Sequence, residues 1–241
     1  MNRLILIISA GLLAVACYVP SPKTGKSDKF EQSWPRAEAE SLDVSVSLGV
    51  GTLSVSGGSE AAAEARVEYN IPDWKPVTSY EVKDGLGRLD LSQPSSVVGA
   101  TWPGNVRYDW NVKLADSLPT RLEVEFGVGK AELDLRGVDI RRLEIDAGVG
   151  EGRIDVSGPR RAGLDIDVEA GVGKLVLVLP ASLPVEVDVE GGIGDVEAPG
   201  FSRRDSKYVS GAGDGPRITV DIEAGIGKIE LLLAPNEAGS I

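Results

Sequence analysis

Between Leu122 and Leu135 the chain alternates apolar and polar residues, and the alternation changes phase once. Leu122, Val124, Phe126 and Val128 fall on even numbers, then Ala131, Leu133 and Leu135 on odd ones. Period-two patterning predicts a strand with one buried face. The slip of one residue falls at Gly127-Val128-Gly129. A glycine pair at such a slip predicts a bulge or corner, since glycine reaches backbone conformations closed to other residues. The phrase returns as "LEIDAGVGEGRIDV" from Leu143 and "IDVEAGVGKLVLVLP" from Ile166.

A Gly-aliphatic-Gly triplet begins at Gly49, Gly85, Gly127, Gly148, Gly171, Gly192 and Gly225. The spacings are 36, 42, 21, 23, 21 and 33 residues. A recurring interval of this length predicts a stack of similar coils. Each unit reads as strand, Gly-x-Gly corner, strand and turn, the turn marked by Gly137, Gly158, Pro180, Pro199 or Pro235. The expected fold is all-β: a β-solenoid, a single-stranded right-handed β-helix-like stack of about seven coils. Its structural corners are Gly127 and Gly129, Gly148 and Gly150, Gly171 and Gly173, Gly192 and Gly194, and Gly225 and Gly227. An antiparallel sandwich of hairpins is the alternative; the triplets lack the Asn-Gly or Asp-Gly of tight hairpins. The central residues (Val50, Leu86, Val128, Val149, Val172, Ile193 and Ile226) are expected to form an interior column. Carboxylates such as Glu123, Glu144 and Asp167 are expected to form a wet outer face.

The N-terminus has a different pattern. Leu4 to Ala16 is a 13-residue apolar run after one arginine, too short to span a bilayer comfortably. It ends in "LAVAC". Small residues before a lone cysteine resemble the lipobox of bacterial lipoproteins, which implies removal of residues 1–16 and lipidation of Cys17. Tyr18 stands where many such proteins carry the Asp of inner-membrane retention, which implies the outer membrane or surface. Ala14-Val15-Ala16 also reads as an ordinary secretory cleavage site, leaving a soluble secreted or periplasmic product as the alternative. Residues 17–40, rich in Pro, Ser, Lys and Glu, are expected to be a lipidated cysteine and disordered tether. The solenoid domain is placed at 41–235 and a C-terminal tail at 236–241.

The chain of 241 residues has a net charge of −12, no histidine and one cysteine. That excludes a Ser-His-Asp triad, a histidine metal site and an intrachain disulfide. The acidic balance argues against nucleic acid. "GGIGDVE" at Gly191 is superficially similar to calcium-binding β-roll loops, but those repeat every nine residues and carry an Asp in each copy. No metal, cofactor or catalytic residue is expected.

The ordered series Trp110, Leu114, Pro119, Leu122, Leu133-Asp134-Leu135 and the serial triplets resembles the bacterial toast-rack proteins. These include domains of Lia-type cell-wall stress proteins and adhesin-like domains. The resemblance covers Leu42 to about Pro235. It implies a β-helix-like stack at the cell envelope and no enzyme. The expected function is a non-enzymatic envelope lipoprotein serving as an adhesion, interaction or stress scaffold. The alternative is a polysaccharide-binding or polysaccharide-degrading β-helix protein. Expected partners are the membrane, through the lipid, and an envelope protein or polysaccharide. Candidate contact residues are Trp74, Trp102 and Tyr108 in the least repetitive stretch, and Arg203, Arg204 and Tyr208 in a second insertion. Capping of the stack is the competing role for the tryptophans.

Overall fold

A computed structural model describes residues 23–94, 105–211 and 213–234. Six long strands carry the repeat: β2 (Ser41–Ser56), β7 (Thr120–Asp134), β8 (Ile140–Asp155), β9 (Leu164–Pro180), β10 (Val185–Glu197) and β13 (Ile218–Ala234). They pair in parallel, in the order β2-β7-β8-β9-β13-β10. The triplets lie in register, so that Val128 faces Val149 and Val149 faces Val172. The chain passes over one place in going from β9 to β10, and β13 later fills it. The architecture is all-β and solenoid-like, and among the described residues the sheet does not close into a barrel.

The inward-facing set changes parity at each triplet. In β7, Leu122, Val124 and Phe126 are buried before it, and Ala131 and Leu133 after it. Both halves contribute to one continuous hydrophobic core. The glycines have a steric reason. A Cβ on Gly150 would lie 2.0 Å from the carbonyl oxygen of Gly129, and φ there is +151°. At Gly173 the corresponding values are 1.8 Å, from Gly150, and +147°. Only glycine lets neighbouring strands approach this closely in that conformation.

The interior column is not found. Val128 and Val149 are each 48% exposed and Ile193 is 76% exposed. The central residue falls where the inward parity switches, so it belongs to neither half's buried set, and its glycine neighbours have no side chains to cover it. Six triplets, not seven, lie in long strands. Against the expectation that the triplets lack the Asp-Gly of tight hairpins, Asp84 and Gly85 form the two-residue turn between β4 (Val77–Lys83) and β5 (Leu86–Ser92). Both have positive φ, as an Asp-Gly hairpin turn requires.

Part of the expected tether is also ordered. Asp28–Trp34 form β1, which pairs antiparallel with β3 (Ala63–Tyr69), and Trp34 is buried. Trp34 and the half-buried Phe30 supply the apolar contacts that the surrounding polar residues obscure.

At its β2 end the stack divides. The first half of β2 continues into β5 and β4, the second half into β6 (Tyr108–Leu114), β3 and β1. Trp74 and Tyr69 pack against Tyr108, with ring centroids 5.1 and 6.5 Å away. Burial pushes the Tyr108 hydroxyl well above its ordinary value. At the other end, a hairpin of β11 (Ser202–Arg204) and β12 (Lys207–Ser210) pairs with β10 over Val185–Val187.

Candidate functional site: an apolar slot at the β10 end

The residue before each triplet forms a row across the stack: Leu48, Phe126, Ala147, Ala170, Ala224 and Gly191. Its side chains shrink from leucine and phenylalanine to alanine and then to nothing. The facing wall comes from the second half-strands and includes Leu175, Ile229 and Val196. Where the row is small the core is underfilled, leaving a slot with about 90 Å³ of free space. It extends from Phe126 to Gly191, four strand spacings or roughly 19 Å.

The rim is polar. Lys228 lies 2.9 Å from Glu197 and 3.0 Å from Glu230, which is also 3.0 Å from Lys174. Hydrogen bonds from Lys228 and Lys174 hold the Glu230 carboxyl below its ordinary range. The slot reaches β10, which pairs with β13 on one side along nearly its whole length. On the other side only Val185–Val187 are covered, by β12. Among the described residues, Asp188–Glu197 therefore present an unpaired edge carrying Glu190, Ile193, Asp195 and Glu197.

The expected contact residues divide into three groups. Trp74 and Tyr108 are buried in the core and cannot meet a partner at the surface, which corrects that expectation. They pack where an aromatic cluster covers the divided end of the stack, and their bulk serves burial. Arg203 and Arg204 are exposed on the β11–β12 hairpin and Tyr208 is half-buried, with Arg203 5.2 Å above its ring. Lys207 holds the hairpin to β10 through Glu186 at 2.6 Å. Trp102 and Cys17 lie outside the described residues. The slot residues Ala147, Ala170, Ala224 and Gly191 were missed by sequence reasoning. Their signal was the falling size of the residue before each triplet, visible once the repeats are aligned.

No group of three metal-ligating side chains occurs among the described residues. No helix among them is long and apolar enough to cross a membrane.

A family model described as the N-terminal domain of toast_rack, DUF2154, matches residues 23–178. Among solved structures, a candidate cell adhesion protein from Clostridium sporogenes is similar at 31% identity and a TM-score of 0.82. That likeness covers 87% of this chain and 100% of the other. A candidate adhesin from Bacteroides fragilis aligns at 11% identity and a TM-score of 0.31, over 89% of this chain and 100% of its own, a likeness too weak to bear on fold or function. No curated protein matches. The family match, together with the register of the glycine-bearing strands, makes this chain a member of the toast-rack family.

Proposed function

We propose that the protein is a non-enzymatic scaffold of the bacterial cell envelope, displayed on a lipidated Cys17, whose β-solenoid binds an envelope protein or polysaccharide. The Gly-x-Gly triplets act in it as corners and not as ligand loops. The observation that carries this reading is the likeness, at 31% identity, to a candidate cell adhesion protein across that protein's whole length. The five exposed aliphatic residues in register, from Val128 to Ile193, add support. Apolar side chains held in a row at the surface of a rigid sheet are suited to contact.

Two measurements test it. Cys17→Ser should move the protein from the membrane to the soluble envelope fraction or block its processing. Unchanged membrane retention and mass would contradict the anchor. The soluble form, immobilised, should retain envelope extract saturably without releasing reducing sugar. Absence of saturable retention contradicts the scaffold, and sugar release contradicts its non-enzymatic character.

A further inference from the structure

We infer that the free edge of β10 and the slot beside it form a docking site for one extended strand of a partner protein. That strand would carry a bulky apolar residue flanked by lysine or arginine. The inference rests on the scaffold reading above and names the class of partner.

Three observations converge on this end of the stack. The first is the edge itself. Asp188–Glu197 pair with β13 but with no described strand on their outer side. A row of free N–H and C=O groups is a template for strand addition. The second is size. The row that starts with Leu48 and Phe126 dwindles to Ala224 and Gly191, so the underfilled part of the core adjoins the exposed edge. A large side chain on the next strand, opposite Gly191, would enter this space as Phe126 fills the other end. The third is charge. Among the described residues, Glu190 and Asp195 are exposed and have no cationic partner, and Glu197 is paired only with Lys228. Opposite charges across a strand pair stabilise it and like charges oppose it. Two copies of β10 would set these carboxylates against each other, so the edge selects a basic strand over itself.

The β11–β12 hairpin limits the site. It covers the edge as far as Val187 and then turns away at Asp205, whose φ is +55°. An incoming strand therefore meets the open edge beyond Val187.

The test uses a fluorescein-labelled peptide, Lys-Val-Lys-Phe-Lys-Val-Lys, titrated with the purified soluble protein and followed by fluorescence anisotropy. Saturable binding is expected, weakened about tenfold or more when the peptide's phenylalanine is replaced by alanine. Glu190→Lys combined with Asp195→Lys, both at exposed positions, should weaken it by at least about tenfold. Ala224→Leu, which fills the slot from within, should weaken binding of the phenylalanine peptide and leave that of the alanine peptide unchanged. A thermal melt confirms that each variant is folded. The proposal is overturned by absence of saturable binding, by equal affinity for the two peptides, or by indifference to the charge reversals. It is also overturned if the protein dimerises through β10 without peptide. Binding seen only after residues 235–241 are removed overturns it too, because the chain's own tail would then hold the edge. If the peptide fails while envelope extract is still retained saturably, this inference falls and the scaffold reading stands.

Discussion

Glycine separates backbone need from side-chain need at single positions. Gly150→Ala should cost at least about 3 kcal/mol, because the added Cβ meets both a forbidden φ and the Gly129 carbonyl. Gly152→Ala lies two residues on, where the nearest atom to a new Cβ is Leu175 Cδ1 at 3.5 Å. It should be neutral or stabilising by up to about 1 kcal/mol. Thermal melts of the two variants check the pair; equal loss would remove the steric account. Val149→Asp should be tolerated, since the side chain is half exposed. Leu143→Asp, fully buried in the same strand, should unfold the protein by burying an unpaired charge. The alternation and its phase slip were legible from sequence, because they depend only on which residues avoid water. The direction of Val149 was not, because extending the first half's parity through a triplet assigns it inward when the change of phase releases it.

Among the elements, the β11–β12 hairpin has its own pH window. Lys207 lowers the Glu186 carboxyl below its ordinary 4.5, and Glu186 raises the Lys207 ammonium above its ordinary 10.5. A lowered carboxyl contributes stability that is complete above the ordinary value and is lost as pH falls through the folded one. A raised ammonium contributes stability that is complete below its ordinary value and is lost as pH rises through the folded one. The hairpin should therefore be held best between about 4.5 and 10.5 and loosen outside that range. Amide exchange at Tyr208 and Val209 would show this, and Lys207→Met should remove its alkaline limb and weaken its acid limb, where Arg217 still lies 3.7 Å from Glu186. Strand order was the illegible part at this scale. Equal repeats predict neighbours in sequence order. The insertion of β13 between β9 and β10 is a tertiary choice that no local pattern encodes. The order of β1 was hidden for a related reason: Trp34 is buried and its strand pairs with β3, far along the chain.

The molecule as a whole has two unlike ends. At β2 the stack divides into two short sheets over an aromatic cluster that includes Trp74 and Tyr108, and long-range contacts cover the core. At β10 the core thins to alanine and glycine behind an edge that is only partly covered. Stacked repeats need shielded ends, so an underfilled terminal rung is where a partner gains most by binding. The least repetitive stretch left two readings open, partner contact and an end cap, and the burial of Trp74 and Tyr108 fits the cap. The slot was not, because an absence of side-chain volume becomes visible only when the repeats are set in register. The central claim, a contact scaffold with its free end at β10, is tested most directly by photo-crosslinking in living cells. A photoreactive residue at Ile193 is compared with one at Val77, exposed at the opposite end. A discrete crosslinked species from position 193 and none from position 77 is the expected result; equal capture from both positions, or none from either, would contradict the account.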